Sequence, residues 1–334
     1  MASIAFITEH HRFPWERQLT DRTPSPGEMR FTINRVDADC ELLVVYDDLA
    51  EPISTVIPRE RRMAILSEPP GIKTYRSSYL AQFGSVFGPV DPKRADVRWI
   101  KSHPALPWFY GIGFNDGRCV ANESLDAMMA MAPPAKAETV SVVISSKSRL
   151  PMHRQRMKFV TALKERLGSK LHIFGQGFNP IADKADAISP HAYHLVLENN
   201  NIDHFWTEKT ADAFLGWSLP IVSACANLED YFPPESFVRI DPDDIERAVE
   251  TTLRVLDQSP YAARLPALAE ARQRLTQQYE LSVCLRHMAR ALPKRTAAAG
   301  ERPARLHPNR NLGPAGKLEP FARKIARKLV RRSS

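Results

Sequence analysis

Four side chains stand where ordinary packing does not ask for them, and their types suit the handling of a phosphate ester. Lys209 lies in the first turn of a helix pattern that opens at Thr207, "TEKTADAFLGW". A helix dipole disfavours a cation there by a fraction of a kcal/mol. Either Lys209 is a solvent-exposed lysine that tolerates this, or an anion such as phosphate shares the helix N-terminus with it. Arg156 falls on the inward line Val160, Leu163, Leu167 of its own helix pattern. A buried guanidinium needs an anion. Its partner is either a nearby acid such as Asp183 or a diphosphate, which the planar fork grips at two points. Asn199 leads three asparagines directly after the apolar run "YHLVLE". Glu68 follows "RMAILS" and precedes two prolines, which exclude a helix and keep its backbone extended. A carboxylate presented in that way is an ordinary loop acid or a general base.

A further loop, "FGQGFNPIADK", supplies Gly175, Gly177 and Asn179 after another apolar run. Such glycines commonly make turns, and they also admit the close approach of a nucleotide. Other chemistries lack their signatures. The ten histidines show no HExxH or similar spacing, and no GxSxG, P-loop or GxGxxG fingerprint occurs. The four cysteines lie far apart with no CxxC pair, which suits reduced thiols better than a disulfide framework or zinc site. No metal site and no cofactor are expected.

The elements that must position these groups alternate. "SIAFIT", "ELLVVY" (41–46) and "RMAILS" (62–67) read as buried strands between loops rich in Pro and Gly. After "MAPPAKAE" (131–138), which reads as a linker, come a strand at 140–145, a helix near 152–167 and strands at 170–175 and 193–198. A helix from about 208, strands at 219–224 and 236–240, and helices near 243–256 and 260–290 complete the series. This strand–helix alternation predicts doubly wound parallel sheets, whose ligands bind beyond the carboxyl ends of the strands. That rule selects Ser145–Ser148, Gly175–Asn179 and Glu198–Asn201. The expected domains are 1–135, 136–293 and a basic linker and tail, 294–334.

Of the 334 residues 43% are hydrophobic and 25% charged, a globular composition without a run long enough to span a membrane. The N-terminus does not read as a signal peptide. The net charge of +8 is local: residues 294–334 carry twelve Lys/Arg against two Glu, leaving 34 basic and 36 acidic residues for 1–293. The body is therefore not a nucleic-acid-binding surface. Residues 294–316 read as a flexible connector. In "KLEPFARKIARKLVRRSS", Phe321, Ile325 and Leu329 recur at helical spacing, with Arg323, Lys324, Arg327 and Lys328 on the other face. Such a helix suits an anionic membrane surface, with a solvated basic helix as the plainer alternative and RNA binding by the tail as the runner-up.

In order along the chain, "ENNNIDHFWTEK", "LPIV" and "PESF" resemble the signature region of the α-1,3-fucosyltransferases, glycosyltransferase family 10, in a bacterial-type form. "VVISSKS" with "RMKFVTAL" is similar to the family's strand and Arg-containing helix, and "SEPPG" to its glutamate before proline. The resemblance implies a GT-B-like α/β fold, two Rossmann-like doubly wound domains facing a cleft, here with a basic amphipathic C-terminal helix. It implies an inverting transfer of fucose from GDP-fucose to a glycan or lipid-linked glycan. Glu68 would be the base, and Arg156, Asn199, Phe205, Glu208 and Lys209, with Gly175 and Asn179, the donor site. Phe205 stands where the family often has a tyrosine. Protein cations would take the role of a metal, and the cytoplasmic face of a membrane is the expected location. The alternatives are another nucleotide sugar, or a non-catalytic protein acting through its basic tail.

Overall fold

The computed structural model describes residues 3–19, 29–69, 72–115, 118–145, 151–223, 225–292 and 303–312. Two compact units divide the chain: Met1–Pro104 with Asp116–Cys119 and Glu280–Ser334, and Ala105–Asn115 with Val120–Tyr279.

In the first unit, six parallel strands lie in the order Arg30–Ile33, Ser3–Thr8, Cys40–Tyr46, Arg62–Ile65, Ser85–Gly88, Arg98–Lys101. Strands covered on both faces read as continuous apolar runs. "SIAFIT" and "CELLVVY" do so, and Ala5, Ile7, Leu43, Val45, Ala64 and Val86 share one core. In the second unit, five parallel strands lie in the order Leu171–Phe174, Ala137–Val143, His191–Leu197, Leu219–Ser223, Val238–Arg239. The helix Pro151–Leu167 contributes Phe159, Val160 and Leu163 to the same core as Val140, Val142 and Leu171.

Both sheets place their first strand between the second and the third. The strand order therefore reverses between first and third, and such a switch point is where an open α/β sheet leaves a crevice at its carboxyl edge. In the first unit that edge carries Glu9–His10 and Asp47–Asp48. In the second it carries the residues after Val143 and those after Leu197, beginning with Glu198.

Several expectations change. The stretch 131–138 is not a loose linker. Lys136 Nζ donates to the carbonyls of Ile188, Ser189 and His191 and to Ser218 Oγ at 2.7–3.1 Å. Burial lowers its pKa to about 7. Residues 105–115, with "ALPWFYGIGF", belong to the second unit rather than the first. The helix expected over 260–290 is two, Tyr261–Gln278 and Leu281–Ala291, and the second belongs to the first unit. Glu280 separates them as an N-cap whose carboxylate accepts from Ser282 N and Val283 N. The expected connector is partly folded: Ala304–Leu306 pairs antiparallel with Ile53–Thr55, and Leu306 is buried in the core of the first unit. Polarity and prolines hid this strand, because one buried side chain carries it. The basic amphipathic stretch with Phe321, Arg323, Lys324, Ile325, Arg327, Lys328 and Leu329 lies outside the described residues. Among the described residues no helix is long and apolar enough to cross a membrane.

If 303–312 is an integral part of the first unit, Leu306→Ala should lower its stability by about 2–5 kcal/mol, the usual cost of a buried cavity. Chemical denaturation checks this; a change below about 0.5 kcal/mol, the level of a surface substitution, would show the segment to be a mere connector.

Candidate active site

The strand His191–Leu197 is buried along its whole length and ends at Glu198, whose side chain has 0% exposure. A carboxylate so placed must be compensated, and Glu198 is. Thr207 donates its backbone N–H at 2.8 Å and its hydroxyl at 2.6–2.7 Å. Thr210 Oγ1 follows at 3.3 Å and Lys209 Nζ at 3.2 Å. All these donors come from the first turn of the helix Glu208–Leu215, which Thr207 caps by accepting from Lys209 N.

Lys209 is thus drawn in to an anion of the chain itself, its side chain 27% exposed. The anion at this helix N-terminus is the chain's own Glu198. The Lys209 ammonium also donates to Thr207 Oγ1 and to Glu208 Oε1, both at 3.1 Å. Burial by itself would lower the pKa of Lys209, but the Glu198 and Glu208 carboxylates outweigh it and hold the ammonium above its ordinary value. Glu208 is held below the ordinary carboxylate value: burial opposes this, and Lys209 and Lys184 prevail. Lys184 stands 3.9 Å from Glu208 and 2.7 Å from the fully buried Asp212. Asp212 in turn accepts the backbone N–H groups of Phe109 and Tyr110 at 2.9 Å each.

Arg156 joins the same junction by a different route. It donates to the backbone carbonyl of Glu198 and, at 2.9 Å, to Asn199 Oδ1. The alternative partner, Asp183, is engaged elsewhere, accepting from Gly111 N, Ala185 N and Asn122 Nδ2. Arg156 therefore faces an oxygen-rich strand end, and among the described residues no carboxylate forms an ion pair with it. Burial lowers its pKa, against the pull of Glu198.

Arg156, Asn199, Glu208 and Lys209 are brought together around one strand end. Gly175 and Asn179 bond to each other and to their own loop instead. Gly175 N donates to Asn179 O at 2.8 Å, and Asn179 Nδ2 donates to Ile173 O at 3.0 Å. Gly175 has φ +114, and a Cβ there would lie 2.3 Å from the Ile144 carbonyl oxygen, so the turn itself requires glycine. Phe205 is buried, 1% exposed, and shapes the loop from within. Of Ser145–Ser148, residues 146–148 lie outside the described residues. Sequence reasoning selected Glu198–Asn201 by the strand-end rule but missed the role of the Glu198 carboxylate itself. It also missed Asn227 and Tyr231. Asn227 Oδ1 accepts His204 N at 2.7 Å, and Tyr231 Oη lies 2.6 Å from His204 Nδ1, fixing the end of the asparagine loop.

Glu68 belongs to the first unit. Its strand ends at Ile65, earlier than expected, and Glu68 lies half-buried beyond that end. Its backbone N–H donates to Tyr75 Oη at 3.3 Å. Tyr75 leads into a charged cluster that sequence reasoning also missed. Tyr75 donates to Asp47 Oδ1, while Lys73 Nζ is 2.9 Å and His10 Nε2 3.2 Å from Asp47 Oδ2. Lys73 further approaches Glu9 at 3.5 Å and Asp48 at 3.6 Å. Glu9, His10 and Asp47 are near enough to one another to share a cation, and the Lys73 ammonium already occupies that role.

Comparison with known proteins bears on the second unit. Residues 133–264 match the model of the glycosyltransferase family 10 (fucosyltransferase) C-terminal domain. A 4-galactosyl-N-acetylglucosaminide 3-alpha-L-fucosyltransferase 9 of Cricetulus griseus is 30% identical over 113 residues, covering 32% of this chain and 30% of the relative. A 3-galactosyl-N-acetylglucosaminide 4-alpha-L-fucosyltransferase of Pan troglodytes is 25% identical over 125 residues, covering 35% and 32%. The chain thus matches less than a third of the length of these curated relatives. Among solved structures, an alpha1,3-fucosyltransferase with GDP-fucose aligns with a TM-score of 0.46 at 15% identity, covering 79% of this chain and 81% of that one. Trehalose-6-phosphate synthase OtsA aligns with a TM-score of 0.50 at 10% identity, covering 78% and 74%. The two parallel α/β sheets have a GT-B-like fold. In the segment that joins Arg156, Asn199, Glu208 and Lys209 around Glu198, the chain resembles glycosyltransferase family 10, the fucosyltransferases.

Proposed function

We propose that this chain is an inverting glycosyltransferase that moves fucose from GDP-fucose to a hydroxyl of a glycan, of the galactosyl-N-acetylglucosamine or lipid-linked kind. The observation that carries the reading is the convergence of Arg156, Asn199 and Lys209 on one strand end at the switch point of a parallel sheet. In the proposed reaction Glu68 takes the proton of the acceptor hydroxyl. The acceptor oxygen attacks the anomeric carbon, the bond from that carbon to the diphosphate breaks, and the electron pair leaves with GDP. Arg156 and Lys209 stabilise the charge that develops on the leaving phosphate. These fixed cations make a metal unnecessary.

Lys209 has three N–H bonds, and Glu198, Thr207 and Glu208 engage all three. Glu198 is sealed, whereas the Glu208 side chain keeps 13% exposure. Glu208 is therefore the partner that a diphosphate would replace, and Lys184, 3.9 Å away, is positioned to receive it. A Glu208 carboxylate released from Lys209 would be available to hydroxyl groups of the donor.

Calorimetric titration with GDP should give a binding heat. Arg156→Ala or Lys209→Met should weaken that binding roughly ten- to a hundred-fold, the worth of one hydrogen bond to a charged group. Unchanged affinity in both variants would remove the donor reading. Glu68→Gln, assayed with GDP-fucose and a lactosamine-type acceptor in the presence of EDTA, should lose about 10²–10⁴ in turnover while keeping GDP affinity. Full turnover would remove Glu68 as base. Loss of wild-type turnover on adding EDTA would remove the metal-free mechanism, and turnover with another nucleotide sugar alone would reassign the donor.

We further propose that the basic stretch around Phe321–Leu329 holds the protein peripherally at the cytoplasmic face of an anionic membrane. The alternation of its apolar and basic residues supports this. The full chain should co-sediment with vesicles containing anionic lipid and be released by salt. Equal binding to neutral vesicles, or none to either, would overturn the proposal.

A further inference from the structure

The polar cluster of the first unit is more than compensation for one buried charge. Asp47 and Asp48 follow the third strand of its sheet, and Glu9 and His10 follow the first, so the cluster sits at the switch point of that sheet. Asp47 adopts φ +65 without being glycine, a conformation that costs energy and persists only where its surroundings enforce it. Here they do. Lys73 and His10 hold its side chain, and Tyr79 Oη donates to its carbonyl at 3.3 Å.

The cluster bears on residues 68–69 and 72–76. Ile72 N and Lys73 N donate to Pro69 O at 2.8 and 3.1 Å, which ties the turn holding Lys73 to the residue after Glu68. Tyr75 then lies beside Glu68, accepting its N–H while donating to Asp47. A residue far along the chain fastens the far end of the turn. Asn309 donates to Thr74 O, accepts from Arg76 N, and donates its own N–H to Asp48 Oδ1, at 2.9, 2.9 and 2.8 Å. Among the described residues between Ile65 and Ser77 no helix or strand forms. The side chains of Asp47, Lys73, Tyr75 and Asn309 do for this turn what a helix or sheet ladder would otherwise do.

We infer that Tyr75 and Asp47 are positioning residues for Glu68, and that Asn309 braces the same turn through Thr74 and Arg76. The inference rests on the reading of Glu68 as the base. Tyr75 acts through the Glu68 backbone, and Asp47 acts through Tyr75 by fixing its hydroxyl. A base displaced by about 1 Å loses up to roughly a hundred-fold in rate while leaving donor binding untouched.

The test is a double-mutant cycle on the full chain, read as kcat, donor KM and GDP affinity, with Tm recorded for every variant. Tyr75→Phe should fold, keep donor KM and GDP affinity, and lose about ten-fold or more in kcat. Asp47→Asn, which keeps an oxygen for the Tyr75 hydroxyl, should lose less than Tyr75→Phe. Tyr75→Phe with Glu68→Gln should be no slower than Glu68→Gln alone, because two residues on one line of action are not additive. Wild-type kcat for Tyr75→Phe beside an inactive Glu68→Gln overturns the positioning role and leaves the base reading intact. So does a double variant slowed by the product of the two single effects. Full turnover by Glu68→Gln overturns both. A Tyr75→Phe protein that loses kcat and GDP affinity together shows a structural role and overturns the inference.

Discussion

One buried carboxylate organises the second unit. The Glu198 side chain has no exposure, so the chain must surround it with donors, and the donors available at that depth are those of the next helix N-terminus. Two consequences follow. The helix must begin at Thr207, whose hydroxyl and N–H both point to Glu198. Lys209 must also turn inward, against the helix dipole, because the carboxylate attraction exceeds the fraction of a kcal/mol the dipole costs. Removing one member of such a pair commonly costs about 3–5 kcal/mol, since it strands the other charge. Arg156 is attached to this arrangement through the carbonyl of Glu198 rather than its carboxylate.

The first unit solves a related problem with the signs exchanged. Three carboxylates, Glu9, Asp47 and Asp48, surround one ammonium, Lys73. The Asp47 carboxyl is held below the ordinary range: burial opposes this, and Lys73, His10 and Tyr75 overcome it. Glu9 and Asp48 are raised, chiefly by burial, although Lys73 pulls both down. One cation shared among three acids favours the closest of them, which is Asp47 at 2.9 Å. In each unit the polar cluster occupies the carboxyl edge at the point where strand order reverses. Parallel strands leave their last carbonyl and amide groups unpaired there, and long polar side chains are needed to satisfy them.

Much of this was legible before the fold was known. Arg156 on an apolar line, Lys209 at a helix start and Asn199 after a buried strand are each local conflicts, and a local conflict marks a place where another interaction wins. Glu198 and Asp47 gave no such signal. A glutamate at the end of "YHLVLE" and an aspartate pair after "ELLVVY" look like ordinary residues at strand ends. Their depth depends on what packs over the strand end, and no pattern within a few residues records that. Asn309 was equally hidden, 261 residues from the Asp48 carboxylate that its amide meets.

The sequence by itself determined the strand–helix alternation, the parallel sheets and the residues able to grip an anion, because those depend on periodicity and side-chain chemistry over short spans. Only the tertiary structure decided which acid each cation meets. Arg156 could have turned to Asp183 and instead reached Glu198 and Asn199. Lys209 could have stayed in water and instead closed on Glu198. Partner choice of this kind is fixed by strand register and burial, which are set jointly by residues far apart in the chain. For the same reason Ala304–Leu306, polar and proline-flanked in sequence, becomes a strand once Ile53–Thr55 offers it an edge.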